Sequence, residues 1–236
     1  MDQYRFVYAL MVGAVFLVWL AIFFLRKDLR KEILIMSSLI GLLGITQLLY
    51  AGVYWSPEHI FLFYELPLGP EDFLLAALFY GGIGSVLYQF VSNQRYICDP
   101  KTPDNSVLIG CVLPLIAGLV TYAIVSSAHM NIIYATTCTL LIPAITLVLL
   151  RPQYAKAVFV NGLCMGVLAV AILILFEALF PGFIEHTWNL PALSGAIILS
   201  VPIEEFYFHF AAGACFAVAY ECFFNCRPFS LAKRVL

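Results

Sequence analysis

Residues 55–73 read WSPEHIFLFYELPLGPEDF, and residues 188–206 read WNLPALSGAIILSVPIEEF. A shift of 133 residues lays Trp55 on Trp188, Glu71 and Asp72 on Glu204 and Glu205, and Phe73 on Phe206. Further along, Phe90 falls on Phe223. The shared pattern is a Trp, fifteen residues, two acids, a Phe and a long apolar run. Each run is long enough to cross about 30 Å of hydrocarbon. The same entry into a membrane helix is therefore written twice.

Working outward, seven apolar stretches are long enough to span: 4–25, 33–54, 71–92, 106–127, 132–150, 156–179 and 202–224. Helices one to three then repeat as helices five to seven, and helix four links them. The chain divides into a first three-helix repeat (1–92), a linking helix (93–131) and a second three-helix repeat (132–236). An odd linking helix keeps both halves the same way up, which makes the repeat parallel. The first stretch is too long for a signal-peptide core and ends in a basic stop, so it reads as a retained helix. The expectation is an all-α membrane protein with seven transmembrane helices in a 3+1+3 parallel repeat.

Composition agrees. The chain has 236 residues, 63% hydrophobic and 11% charged, with mean hydropathy +0.98. Soluble domains carry about 25% charged residues, so this chain uses the lipid bilayer as its solvent. A net charge of −2 gives no reason to expect a nucleic-acid partner. The basic residues fall on alternate loops: Arg26, Lys27, Arg30 and Lys31, then Arg95 and Lys101, then Arg151 and Lys156, then Arg227, Lys233 and Arg234. Only Arg5 lies on the other side. By the positive-inside rule the N-terminus is outside and the C-terminus cytoplasmic. The outer segments Trp55–Asp72 and Pro181–Glu205 hold acids and no Lys or Arg. They either lie in the interface or fold back as a lid.

Carboxylates that enter a membrane are costly and default to functional candidates. Glu71, Asp72, Glu204 and Glu205 open two equivalent helices, each beside a helix-start proline, Pro70 or Pro202. Capping acids that complement the helix dipole are the plain reading. However, adjacent helical residues point about 100° apart, so one acid of each pair can turn inward toward a shared cavity. A carboxyl between apolar helices favours its protonated form and can serve as an acid, with a partner as base. His209, one turn beyond Glu205, either relays a proton or is a satisfied core histidine. Gln47 lies within helix two, Glu177 at the outer end of helix six, and Asn189 after Trp188 in the lid-like segment. Glu221, far from the acid pair, reads as structural or as a partner of the basic tail. The seven cysteines are scattered without a CxxC pair and read as small packing residues.

Absences exclude other classes. Lysines occur only at 27, 31, 101, 156 and 233, so no intramembrane lysine is there to carry a retinal Schiff base. Gly81-Gly82-Ile83-Gly84 lies inside a helix and reads as close packing, not as a dinucleotide fingerprint. No zinc-ligand spacing, P-loop or GxSxG elbow is present.

The segment Val201-Pro202-Ile203-Glu204-Glu205-Phe206 resembles the PxEE signature of the small, non-flavin, integral-membrane lycopene cyclases. These are built of two homologous three-helix units, separate or fused, and the fused form is similar to this chain in length, repeat and polarity. The first copy departs from the signature, with Gly69-Pro70-Glu71-Asp72. The resemblance implies protonation of the terminal C1=C2 bond of a linear C40 carotenoid, ring closure through C6, and loss of a proton to a base, with no cofactor. Aromatic faces would stabilise the passing cation. It further implies Glu204 and Glu205 first, then Glu71 and Asp72, as the acid and base set. Trp55, Trp188, Phe73, Phe206, Tyr207, His209 and Asn189 are the expected substrate contacts. A prokaryotic cytoplasmic membrane, a hydrophobic carotenoid substrate, and either a homo-oligomer or other carotenoid enzymes as partners belong to the same picture. Three other readings stay open: a small transporter, a non-catalytic carotenoid- or prenyl-lipid-binding membrane protein, and a cyclase acting on another polyprenoid.

Overall fold

A computed structural model describes residues 4–98, 112–128 and 130–228. The main helices are α1 (Val7–Leu25), α2 (Lys27–Tyr50), α3 (Pro70–Ser92), α4 (Leu113–Ser127), α5 (Ile132–Leu150), α6 (Pro152–Leu179) and α7 (Ile203–Phe223). All but α4 are long and apolar enough to cross a membrane. At about 1.5 Å per residue, the 15 residues of α4 reach only about 22 Å, short of a full span. Six candidate spans are present among the described residues; the fourth of the expected seven begins outside them. The expected first turns of the linking helix (106–111) and Cys111 lie outside the described residues, as do Lys101, Lys233 and Arg234. Large apolar side chains such as Leu17, Leu149 and Phe159 are exposed on the helix faces, which suits hydrocarbon as the surrounding medium. The chain is an integral membrane protein.

Local sequence explains how the helices meet. α2 packs on α3, and α7 packs on both α5 and α6. Gly44 in α2 lies so close to α3 that an added Cβ would sit 2.6 Å from Phe73 Cα. At Gly81 an added Cβ would come within 2.5 Å of the Met36 carbonyl oxygen. The glycine run in α3 is thus a close-packing device, as its place inside a helix indicates. Over Ala76–Ile83, α3 widens into a π-helical stretch, a form that recurs at functional sites. Asn161 of α6 is fully buried and ties three helices together. Its amide donates to Gly84 O at 2.6 Å and Gly213 O at 2.7 Å, and its Oδ1 accepts from Tyr88 N at 2.7 Å. In lipid each such polar group must be satisfied within the protein.

The two outer segments fold back and pair with each other. Ser56 N donates to Thr187 O, and Asn189 N donates to Tyr54 O, both at 2.8 Å. Trp55 and Trp188 form an antiparallel bridge between them. The lid arrangement is therefore the one adopted. Beyond the bridge each segment carries an apolar tip. Tyr64 and Leu199 are strongly exposed, both in left-handed backbone conformations.

At the opposite end, Arg26 donates to Gln89 O at 2.6 Å, joining the end of α1 to the end of α3. Strands β1 (Tyr96–Cys98) and β4 (Cys226–Pro228) pair antiparallel, with Cys98 opposite Cys226; at the lid end, β2 (Ile197–Ile198) and β3 (Val201–Pro202) form the hairpin leading into α7. Cys98 and Cys226 form a disulfide across 128 residues of chain. This corrects the reading of all cysteines as packing residues. Connectivity between two distant loops is not encoded in local spacing. Of the two readings of Glu221, the structure adopts the structural one. It is buried and accepts from Gln89 Nε2 at 2.6 Å, and the same amide reaches Glu32 at 3.0 Å. Helix geometry aims Glu221 inward.

Candidate active site

Each acid pair divides its labour. Glu71 and Glu204 turn toward the lid segments. Glu71 Oε1 accepts from Ile60 N at 2.9 Å. Glu204 Oε1 accepts from Ser194 N and from the Tyr134 hydroxyl, both at 2.8 Å. Asp72 and Glu205 turn the other way and line a cavity of about 260 Å³. One acid inward and one outward is what the 100° helical step predicts.

Glu205 is 3% exposed. Its Oε1 accepts the Trp188 indole N–H at 2.7 Å and the Tyr54 hydroxyl. With two donors on Oε1, Oε2 is the oxygen left to carry a proton. His209 lies beside it, with Nδ1 3.6 Å from Oε2, beyond hydrogen-bond reach. His209 Nδ1 instead meets the Glu205 main-chain oxygen at 2.7 Å. A carbonyl only accepts, so Nδ1 carries the hydrogen. His209 Nε2 then faces the Tyr80 hydroxyl at 3.0 Å, and the Tyr80 ring stacks on the imidazole.

Asp72 has a different setting. Oδ1 accepts from the Tyr8 hydroxyl at 2.8 Å. Oδ2 accepts from Gly69 N at 2.8 Å and lies 2.7 Å from His59 Nε2. Three partners are thus directed at one carboxyl. Tyr8 meets the edge of Trp55 at 5.2 Å, and Trp55 meets Trp188 at 5.4 Å between ring centroids. An unbroken aromatic row thus runs from the Asp72 side to the Glu205 side. Trp55 donates to Gln47 Oε1 at 2.7 Å, and not to an acid as Trp188 does. Gln47 Nε2 is buried with no partner among the described residues.

Trp55, Trp188 and His209 therefore line the cavity with Asp72 and Glu205. Glu71, Glu204, Phe73, Phe206, Tyr207 and Asn189 do not. Phe206 packs against Gly166, Phe73 against Phe63, Tyr207 is exposed, and Asn189 donates to Val53 O. An inward helical register at 205 leaves positions 206 and 207 facing neighbours or lipid. Sequence reasoning missed Tyr8, Tyr54, Tyr80 and His59. The hydroxyl-bearing rings sit in apolar runs where they read as core or interface aromatics, and His59 sits in a loop. Glu177 caps the turn after α6, accepting from Gly182 N and Ile184 N.

Residues 131–223 match the family model for lycopene cyclase. These residues, fewer than half of the chain, are similar to a lycopene cyclase domain. No curated protein and no solved structure matches the chain. The lycopene cyclase match takes in Trp188, Glu204, Glu205 and His209, and places the protein in carotenoid biosynthesis. Asp72, Tyr8, Tyr54 and His59 lie before the matched residues, yet they share the cavity or touch the side chains that line it.

Proposed function

We propose that the protein closes a terminal ring on a linear lycopene-type carotenoid by acid–base isomerisation, with no cofactor. The observation that carries this is the pairing of Glu205 and Asp72, from two different helices, in one cavity walled by Tyr50, Tyr54, Phe79, Tyr80, Trp55 and Trp188. Glu205, through Oε2, is the acid. It protonates C2 of the terminal C1=C2 bond and leaves a tertiary cation at C1. The C5=C6 π electrons attack C1, the C1–C6 bond forms, and the charge moves to C5. Asp72 removes a proton from a carbon adjacent to C5, which restores a ring double bond. One proton enters and one leaves, so the formula is unchanged and no electrons are exchanged with a cofactor. The aromatic faces stabilise the cation, and the paired lids exclude water that would capture it. After each closure Glu205 has lost a proton and Asp72 has gained one. The site resets by proton exchange, with His59 against Asp72 and the His209–Tyr80 pair beside Glu205.

The 133-residue spacing supports two parallel three-helix repeats, 1–92 and 132–236, joined by 93–131. The basic loops support a cytoplasmic C-terminus. The test is expression in a host that accumulates lycopene, followed by pigment chromatography. The proposal expects monocyclic or bicyclic carotene from the wild-type chain and unchanged lycopene from Glu205→Gln and Asp72→Asn. Unchanged lycopene from wild-type protein present in the membrane would refute it.

A further inference from the structure

A forty-carbon polyene does not fit in this cavity. Pockets that bury drug-sized molecules run roughly 300–1,000 Å³, and this one holds about 260 Å³. One end of such a chain can enter; the rest must lie in some other apolar medium. The walls show where it leaves. The outer end is closed: Tyr8 is 1% exposed, Trp188 is 5% exposed, and the paired lids lie beyond them. From Glu205 the cavity runs along α7 to Phe216, eleven residues or about 16 Å toward mid-membrane. There the wall changes character. Leu43 of α2 lines the cavity and is also 44% exposed on the outer surface. Ile40, Thr139 and Leu140 of α5, and Phe216 are half-buried lining residues. Packing between α2 and α5 is concentrated at Gln47–Tyr50, the outer end of α2.

Building on the cyclase reading, we propose that the cavity is a half-site. It admits one end of a linear carotenoid through a gap between α2 and α5, and leaves the polyene tail in the bilayer hydrocarbon. Ile40 and Leu43 bound the gap on one side, Thr139 and Leu140 on the other. No polar group is needed there, because both sides of the gap are apolar media for an apolar tail. The gap selects for a long, thin, apolar chain, while the carboxyls at the closed end act on its last isoprene units. A second ring on the same molecule then requires release, reversal and re-entry. The free monocyclic product precedes any bicyclic one.

The experiment uses the whole protein in membrane vesicles loaded with lycopene. Leu43→Trp and Leu140→Trp narrow the gap. Each is expected to lower kcat/KM for lycopene roughly tenfold or more, the scale of an ill-fitting apolar pocket. Leu149→Trp, on the exposed face of the same α5, is expected to match the wild type. If either gap variant fails to accumulate, Leu43→Phe and Leu140→Phe decide by the same measure. Gap variants that cyclise as fast as the wild type would overturn the half-site and leave the cyclase reading standing. A wild-type chain with no cyclisation would instead overturn the cyclase reading. In a time course, bicyclic product formed with no free monocyclic intermediate would also overturn the half-site.

Discussion

Trp188 hands its indole N–H to Oε1 of Glu205 at 2.7 Å, while its counterpart Trp55 hands the same group to Gln47 at 2.7 Å. The two tryptophans meet at the centre of the lid, and only one of them touches an acid. Trp188→Phe keeps the ring and removes the donor. Losing a hydrogen bond to a buried carboxyl costs about 1.5–3 kcal/mol, so cyclisation should slow roughly ten- to a hundred-fold. Trp55→Phe should slow it less. Rates of carotene formation in vesicles, normalised to protein in the membrane, check both.

Glu204 and Glu205 are neighbours with different tasks. Glu205→Gln removes the proton that Oε2 would deliver, and general acid catalysis contributes typically about 10²–10⁴-fold. Glu204→Gln keeps an oxygen to accept from Ser194 N and Tyr134, and should retain most of the activity. Pigment profiles of the two variants side by side give the answer. Equal losses in both would remove the distinction between an inward and an outward acid.

The duplicated Trp-to-acid spacing was legible in the sequence because a period in residue number survives folding. So was the rule that one acid of each pair turns inward, since it follows from the helical step. Which one turns inward was not legible; it depends on how Gly44 and Gly166 let neighbouring helices close on α3 and α7. Tyr8 and Tyr54 reach their acids over 64 and 151 residues of chain, and no local pattern marks such pairs. The disulfide was missed for the same reason.

His59 faces Asp72 at 2.7 Å from a loop. His59→Gln keeps a donor near Oδ2 but cannot pass a proton on. It should lower kcat several-fold while leaving KM for lycopene near the wild-type value. Steady-state kinetics at saturating lycopene test this. A pure rise in KM would make His59 a packing residue.

Asn161→Leu leaves Tyr88 N without its partner and strips donors from Gly84 O and Gly213 O. Each unsatisfied buried group costs about 1–3 kcal/mol. The variant should lose folded protein on mild heating in detergent well before the wild type, followed by size-exclusion chromatography. Equal thermal survival would show that the three-helix tie contributes little.

Cys98 and Cys226 close a loop at the end of the molecule away from the acids. Cys98→Ser should leave cyclisation at the wild-type rate and lower thermal stability. Activity and heat-survival measurements on the same membranes separate the two effects.

The central claim is that Glu205 gives its proton to the carotenoid. A single turnover by protein equilibrated in D2O, with the carotene analysed by mass spectrometry, tests it most directly. One deuterium per ring closed is the result expected, together with no ring formed by Glu205→Gln. Rings closed without deuterium, or closed at full rate by that variant, would contradict it.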